Sequence, residues 1–354
     1  IYQIQFIRQF SLQFKISLLS AIVLMMLITN SNLFKIKKLR FNYFFKLLLL
    51  TKILYAFKLL ALGSLIGLQE FVLFFSLITF VFYLSNRYNH DSVLSLIYYS
   101  SLVFLFVNIL QIIINPEVMF IKQRFVSVTG NANHAGVAFF CFLPSLLYVH
   151  NVKHKLVSKI LIFLFLFFVL ISGSRTAFLG VILFFILLYR IRLRLIIFSI
   201  VSILIADFIL FQVFDNLPFS IQSSFERASL ESNRVENWLI NFQNFIDNPF
   251  FGRTDLTNGR LNVIENSYIA ALSNYGLVGA ISFFIAIIFL VLKSLSFLNN
   301  SDYSLRLFAS FAISMCVMAF FEGFLLGNLT LPILMLFLYT NTYLNNKTKI
   351  NLIK

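Results

Sequence analysis

The sequence predicts an all-α membrane protein in which residues 1–354 form a single domain of transmembrane helices. Hydrophobic residues make up 60% of the chain and charged residues only 12%, whereas soluble domains carry about 25% charged residues. Many apolar runs approach the roughly 20 residues that a helix needs to cross a bilayer. These runs are predicted to be helices, because backbone groups in lipid must be hydrogen-bonded within the segment.

Eleven apolar runs are predicted to span the membrane. The chain begins at Ile1 rather than at methionine, so the expected count rises to twelve if an N-terminal span is missing. The predicted spans are residues 11–28, 44–66, 71–85, 93–114, 134–150, 156–171, 176–189, 195–212, 266–292, 307–322 and 329–344.

The basic residues predict the orientation of these spans. A net charge of +15 would suggest nucleic acid as the partner of a soluble protein. In a membrane protein, lysine and arginine instead concentrate in cytoplasmic loops. Alternate loops hold 17 of the 28 basic residues, which predicts an outer N-terminus, an inner C-terminus, a lipid bilayer as partner and no nucleic acid.

Eight basic residues oppose this trend, because they fall in the predicted outer loops. Seven of them are arginine, the residue that binds phosphate oxygens with two donors and stays charged. Long loops also cross the membrane whatever their charge, which is the alternative explanation for those in the longest outer loop. The eight are Arg8, Lys122, Arg124, Arg175, Arg227, Arg234, Arg253 and Arg260.

The clearest exception is Arg175, which stands between two apolar runs with almost no loop around it. It belongs to the segment Ser172-Gly173-Ser174-Arg175-Thr176. An ionisable group at this depth is a functional-site hypothesis by default. The alternative is an arginine that caps a helix junction and extends its charge to the interface. Ser172 and Ser174 are the candidate substrate-binding hydroxyls beside it.

The largest predicted extracytoplasmic loop covers residues 213–265. Within it, Leu239, Phe242, Phe245 and Ile246 form an apolar stripe with helical spacing, which predicts an amphipathic helix on the membrane or on the bundle. Asn248-Pro249 ends this helix and Gly252 allows a turn. The loop also carries Arg234, Arg253 and Arg260, as candidate catalytic and substrate-binding residues.

Glu265 is the candidate general base, because a carboxylate at the membrane edge can take a proton from a substrate hydroxyl. It begins the segment Glu265-Asn266-Ser267, in which Asn266 is a further candidate substrate-binding residue. The alternative is purely structural, since an acidic residue is favoured at a helix N-terminus and Asn or Ser caps helices. The glycines of the following Asn274–Gly279 segment are expected to allow close helix packing.

The predicted outer loop 115–136 is rich in asparagine, and its amides suit either sugar hydroxyls or ordinary turns. Asn133 and His134 are its candidate substrate contacts. Asp207 and Glu322 lie toward the outer side and are candidates to line a cavity. Two cysteines in apolar runs predict neither a disulfide framework nor a metal site.

Several enzyme classes lack their signatures in this chain. It has no P-loop, no dinucleotide fingerprint, no zinc-protease motif and no nucleophile elbow. The predicted cytoplasmic loops are too short to hold a nucleotide-sugar domain. No cofactor is expected, and the energy of any reaction would come from an already activated substrate such as a lipid pyrophosphate.

These segments resemble the O-antigen ligase and O-antigen polymerase family, whose motifs they match in order. Coverage runs over roughly residues 120–344. The matching pieces are NANHAGVAFFCFLP at 131–144, SGSRTAFLG at 172–180, Arg234-x-x-x-Trp238, Asn248-Pro249-Phe250-Phe251-Gly252, and ENSYIAALSNYGLVG at 265–279.

The resemblance implies a bundle like that of membrane glycosyltransferases, with its active site on the outer face of the cytoplasmic membrane. Its substrates would be a donor and an acceptor glycan on undecaprenyl pyrophosphate, for O-antigen, capsule or exopolysaccharide. Family ligases carry His where this chain has Glu265, which favours a repeat-unit polymerase. The chain also departs from the family at Arg253, near which a second glycine usually stands. Chain-length regulator and flippase proteins are the implied partners.

Two alternatives remain open at this point. The nearer one is a ligase that transfers finished glycan to lipid A core or to protein. The more distant one is a lipid-linked glycan flippase or transporter, whose outer arginines would bind an anionic headgroup without chemistry. Transporters usually contain repeated halves and broken helices, and no internal repeat is evident in the sequence.

Overall fold

The computed structural model describes residues 42–121, 124–153, 156–191, 234–255, 265–326 and 330–350. Almost all of this part of the chain is helical. The helices are α1 Tyr43–Ala61, α2 Ile66–Arg87, α3 His90–Ile114, α4 Pro116–Met119, α5 Ala132–Lys153, α6 Leu156–Ile171, α7 Arg175–Tyr189, α8 Arg234–Asp247, α9 Ser267–Leu298, α10 Tyr303–Met318, a 3₁₀ helix Gly323–Leu326, and α11 Leu331–Ile350. Strands β1 Phe120–Ile121 and β2 Arg124–Phe125 form an antiparallel hairpin.

The helices are those of an integral membrane protein. Four of them, α2, α3, α5 and α9, are long and apolar enough to cross a membrane, and α6, α7, α10 and α11 contain shorter apolar segments. The all-α fold class is therefore confirmed, while the count of eleven or twelve spans stays a prediction. Predicted spans 11–28 and 195–212 lie outside the described residues, as does Arg260.

Two helices near the candidate site have boundaries that differ from those of the predicted spans. The span predicted at 307–322 ends as α10 at Met318, and a turn separates Glu322 from this helix. The span predicted at 266–292 is α9, which continues to Leu298 and is interrupted at Gly276, where φ is 61° and ψ is −173°. Glu322 consequently belongs to a connection between helices and not to a span.

Aromatic packing fixes the hairpin against the bundle. Phe125 of β2 is fully buried, and its ring centroid lies 5.0 Å from that of Phe168 in α6 and 6.0 Å from that of Phe139 in α5. The rings of Phe139 and Phe168 are themselves stacked, with centroids 4.7 Å apart. Aromatic contacts of this kind add to the burial energy of each ring, so the residue next to Phe125, Arg124, is held at a fixed place.

The break in α9 receives the turn that follows α8. The backbone N–H of Leu277 donates to the carbonyl of Pro249 at 2.8 Å, and that of Arg253 donates to the carbonyl of Ser273 at 2.8 Å. Gly252 and Gly276 both have positive φ, and their backbones touch. Of the glycines predicted to allow close helix packing, Gly276 makes a close approach, to the turn around Gly252 and not to another helix, and the helix is interrupted there.

Replacing Gly276 by alanine should destabilise the protein strongly. A Cβ at this position would lie 2.3 Å from the carbonyl oxygen of Phe250 and 2.5 Å from the nitrogen of Gly252, and the backbone conformation alone costs a non-glycine residue about 1–3 kcal/mol. Gly63→Ala is the matched control, because Gly63 has a φ of +78° with nothing within 4 Å of its Cβ position. Thermal unfolding in detergent should show the larger loss for Gly276→Ala; equal losses would contradict the crowding.

Candidate active site

The turn between α6 and α7 carries Arg175 and is closed by its own hydroxyls. The Ser172 hydroxyl donates to the Val169 carbonyl at 2.6 Å, and Ser174 caps α7 by accepting from the backbone N–H of Ala177 at 3.2 Å. Both serines are buried. The structure therefore places these predicted substrate-binding hydroxyls in the support of the turn.

Arg175 itself is exposed at the first position of α7. Within the described part of the chain, its guanidinium makes no hydrogen bond or ion pair. The next residue, Thr176, is buried and donates from its hydroxyl to Oε1 of Glu322 at 3.4 Å. Arg175 thus precedes the residue that contacts Glu322, and its side chain is exposed.

Arg124 binds the same turn and was not among the predicted site residues. Its Nε donates to the Ser172 carbonyl at 3.0 Å, and its Nη2 donates to the Gly173 carbonyl at 3.1 Å and to Oδ1 of Asn133 at 2.8 Å. Gly173 has a φ of +57°, and a Cβ there would lie 3.2 Å from Arg124 Nε. The predicted contact residue Asn133 therefore holds an arginine that supports the turn.

The centre of the candidate site is Arg234, the first residue of α8, which lies between two carboxylates. Its Nε is 2.6 Å from Oε2 of Glu265, and its Nη2 is 3.8 Å from Oε1 of Glu322. The exposed fraction of the side chain is 28% for Arg234, 52% for Glu265 and 8% for Glu322. The structure thus joins two predicted catalytic residues, Arg234 and Glu265, and adds a buried acid that sequence reasoning did not assign to the site.

Glu322 is fixed by the start of α9. The Ser267 hydroxyl donates to the Glu322 carbonyl at 2.7 Å and accepts from the backbone N–H of Leu325 at 3.2 Å. The backbone N–H of Ser267 donates to the Ala319 carbonyl at 2.9 Å. These bonds tie the connection after α10 to the residue that follows Glu265 and Asn266, so the backbones that carry both carboxylates meet at the start of α9.

Burial dominates the electrostatics of Glu322. Burial is the largest cause of a pKa raised from 4.5 to about 7; the Arg234 guanidinium opposes this rise, and the charge of Glu265 adds to it. Hydrogen bonding from Thr176 and the more distant charge of Arg124 lower it. A group with a pKa near 7 can exchange a proton at neutral pH.

Asn266, rather than Glu265, caps α9. Its Oδ1 accepts from the backbone N–H groups of Tyr268 and Ile269 at 2.9 and 3.0 Å. Glu265 stands before the cap and directs its carboxylate to Arg234. The capping alternative considered for this segment therefore applies to Asn266, and the carboxylate of Glu265 does not cap the helix.

The remaining predicted residues lie in neighbouring segments. Arg253 is half-buried in the turn docked on α9, and its Nε makes no hydrogen bond in the described residues. Lys58 of α1 holds that turn by donating to the carbonyls of Phe251, Arg253 and Asn274 at 2.5, 2.7 and 2.6 Å. His134 is in the first turn of α5, where its backbone N–H donates to Oδ1 of Asn131 at 3.3 Å.

Trp238 follows Arg234 by one turn of α8 and lies against the loop that carries Glu322. Its ring centroid is 6.4 Å from that of Phe321. Its indole N–H is buried and makes no hydrogen bond among the described residues. Together, α8, the start of α7, the start of α9 and the 319–326 connection converge on one arginine–carboxylate cluster, made of Arg234, Glu265 and Glu322.

The fold and this cluster define a helical integral membrane protein with an ionic site at the ends of its helices. The model of the O-antigen ligase family matches residues 160–284, about a third of the chain. Over this region the chain is similar to the O-antigen ligase and polymerase family, which confirms the resemblance seen in its motifs and indicates a role in membrane glycan processing and polysaccharide biosynthesis. No curated protein sequence matches the chain.

The matched region includes Arg175, Arg234 and Glu265, whereas Glu322 and Arg124 lie outside it. The two residues that the structure adds to the site are thus the ones that neither the motifs nor the family match indicates.

Proposed function

We propose that this protein is a glycosyltransferase that polymerises undecaprenyl-pyrophosphate-linked oligosaccharide repeat units on the outer face of the cytoplasmic membrane. The observation that carries this proposal is the contact of Arg234 with Glu265. It pairs a group that binds phosphate oxygens with a group that accepts a proton, in a chain similar to a family of membrane glycan enzymes.

In the proposed reaction, a hydroxyl oxygen of the acceptor glycan attacks the anomeric carbon of the donor glycan. A new carbon–oxygen bond forms as the bond to the pyrophosphate breaks, and the electron pair leaves with undecaprenyl pyrophosphate. Glu265 takes the hydroxyl proton. Direct displacement inverts the anomeric centre and requires no metal.

Arg175 and Arg234 bind the pyrophosphate oxygens and stabilise the negative charge that develops as the bond breaks, with Arg253 and Arg260 as helpers. Fixed charges directed at developing charge are usually the largest catalytic contribution. The bound pyrophosphate would also replace Glu265 on Arg234, since both offer oxygens to the same guanidinium. Donor binding would then release the carboxylate that serves as base.

The supporting groups have defined places in this mechanism. Ser172 and Ser174 hold the turn that presents Arg175, and Asn133 holds the arginine behind that turn. Asn266 caps the helix next to Glu265, and His134 is an added contact for the glycan. A flippase and a chain-length regulator are the proposed partners. The flippase would bring the lipid-linked substrate to the outer face of the membrane, and the regulator would set the number of repeat units in the product.

The second candidate is a ligase that transfers finished glycan to lipid A core or to protein. It is favoured by the description of the matching family, O-antigen ligase. Family ligases resemble one another in carrying His at the position of Glu265. The acidic residue of this chain at that position favours the polymerase. Both enzymes would use the same donor and differ in the acceptor.

A purified-protein assay separates the two candidates. The protein in lipid nanodiscs is given the lipid-linked repeat unit alone, or together with lipid A core or an acceptor protein. A ladder from the repeat unit alone supports the polymerase, whereas product formed only with the second acceptor supports the ligase. In cells that lack the protein, single-repeat glycan is expected for a polymerase and long unattached polymer for a ligase.

Replacing Arg175 by alanine should reduce polymer formation by about 10²-fold, because one charged donor to the leaving group is lost. Its side chain is exposed and bonded to no described residue, so folding and membrane insertion should be unchanged. Arg190→Ala is the matched control, since Arg190 ends the same helix at its opposite terminus and donates to the Leu298 carbonyl. A wild-type chain-length ladder from Arg175→Ala would contradict the assignment.

A further inference from the structure

The buried carboxyl of Glu322 has no part in the mechanism proposed above, although it contacts the same guanidinium as Glu265. It is 3.8 Å from Nη2 of Arg234, and only 8% of its side chain is exposed. The Ser267 hydroxyl donates a hydrogen bond to the backbone carbonyl of Glu322 and so fixes the position of this residue.

The charges around Arg234 are unfavourable for binding an anion while both carboxylates are ionised. Two negative groups then face one guanidinium, and the one that is buried is weakly screened by water. The described groups that act on Glu322 are Arg234, Glu265, the Thr176 hydroxyl and, more distantly, Arg124. An arriving pyrophosphate can replace the exposed Glu265 on Arg234, whereas the side chain of Glu322 is only 8% exposed.

Protonation of Glu322 removes this repulsion without any movement of its side chain. A neutral Glu322 no longer repels the pyrophosphate, and its hydroxyl can donate a hydrogen bond to an oxygen. We propose that Glu322 is a positioning residue that carries a proton while the donor pyrophosphate occupies Arg234, so that donor binding takes up one proton. This inference rests on the proposed function, because it requires a lipid-pyrophosphate donor at Arg234.

The proton balance is simple. A proton from solvent joins Glu322 as the pyrophosphate binds, and it returns to solvent when undecaprenyl pyrophosphate leaves. The proton that Glu265 takes from the acceptor hydroxyl is a separate one. Glu322 forms no bond to the reacting atoms.

The direction of the pH dependence follows from this assignment. The pKa of Glu322, raised mainly by burial, is about 7, and a bound anion raises it further. Donor affinity should therefore be constant below this pKa, where the proton is already present. It should fall by up to about tenfold per pH unit above it, where the proton must be supplied on binding.

Calorimetry of donor binding tests the proton directly. The full-length protein in nanodiscs is titrated with undecaprenyl-pyrophosphoryl-N-acetylglucosamine, whose pyrophosphate is a diester with no proton to exchange near neutral pH. Titrations in two buffers of different ionisation enthalpy give the number of protons taken up. We expect a value approaching one at pH 8 and near zero at pH 5.5 for the wild type.

Glu322→Gln mimics the protonated carboxyl and should bind the probe with the same affinity at every pH and without proton uptake. Thr176→Val is the second variant, because its lost hydrogen bond otherwise stabilises the ionised carboxylate. The pH at which donor affinity begins to fall should move upward in Thr176→Val. A purely structural role of either residue would weaken the protein at all pH values and leave that pH unchanged.

The outcomes separate the two proposals. If the wild type does not bind the probe at any pH, the proposed function fails, and this inference fails with it. If the wild type binds and takes up no proton, or if Glu322→Gln retains the uptake, the role of Glu322 is wrong while the function stands. A kcat that is lost in Glu322→Gln with unchanged donor binding would make Glu322 the base instead.

Discussion

Replacing Arg234 by glutamine should lower kcat of the polymerase by about 10²–10³-fold, because its guanidinium is the proposed contact to the leaving pyrophosphate. Arg234 is the only described arginine that touches both carboxylates of the cluster. Its removal takes away the charge that the leaving group needs and the link between Glu265 and Glu322. The rate of polymer formation by the purified protein measures the effect.

The Arg234→Gln substitution leaves two carboxylates, Glu265 and Glu322, without the cation between them. Two acids that share a site repel each other and raise one another's pKa, which could weaken folding as well as catalysis. The double variant Arg234→Gln/Glu322→Gln removes one of these charges. It should recover thermal stability while turnover stays low.

Arg234→Lys adds a second comparison, since it keeps the charge and loses the two-donor geometry that suits phosphate oxygens. We expect only partial recovery of turnover. Arg87→Gln is the matched control, because Arg87 lies in the last turn of α2, far along the chain from every residue of the cluster. Turnover of Arg234→Gln within a few-fold of the wild type would overturn the assignment of Arg234.

The sequence predicts the local features of this site well and the long-range ones poorly. The Ser-Gly-Ser-Arg turn and the cap before α9 each lie within a few residues, and their apolar flanks mark them. The chemistry of these two features is carried by neighbouring residues. The contact of Arg234 with Glu265 joins distant parts of the predicted 213–265 loop, and no local pattern predicts it.

The position of Glu322 in the site is not predictable from the sequence. It is 57 residues from Glu265 and was treated as the end of a span, because the apolar run continues through Phe320 and Phe321 up to it. The hydrogen bond from the Ser267 hydroxyl to the backbone of Glu322 places this residue in the site. No rule of residue spacing predicts such a contact. A lone acid next to Gly323 gives no signal of its partner.

The supporting role of Arg124 and the helix break at Gly276 were not predicted, for related reasons. Arg124 belongs to a predicted outer loop whose asparagines suit ordinary turns, and only the fold shows that it bonds to the carbonyls of Ser172 and Gly173. Gly276 lies in an apolar run without proline, so the sequence favours a continuous helix there. The break is stabilised by the chain segment around Gly252 that docks on it, which is again a long-range contact.

Replacing Glu265 by glutamine should lower kcat by about 10²–10⁴-fold, the usual contribution of a positioned general base. The amide keeps the size of the side chain and cannot accept the hydroxyl proton. Donor binding should not weaken, and we expect KM for the donor to stay constant or fall, because Arg234 is released from an ion pair at 2.6 Å. Steady-state kinetics with varied donor concentration separates kcat from KM.

The comparison variants for Glu265→Gln distinguish a base from a partner that only orients Arg234. Glu236→Gln is the matched control, since Glu236 is an exposed acid in the first turn of the same helix as Arg234. Glu265→His replaces the carboxylate by another group that can accept a proton near neutral pH and should restore part of the turnover lost in Glu265→Gln. Near-normal turnover of Glu265→Gln would reduce Glu265 to an orienting partner of Arg234, and the base would then have to be sought at Glu322, the other carboxylate within reach of the same guanidinium.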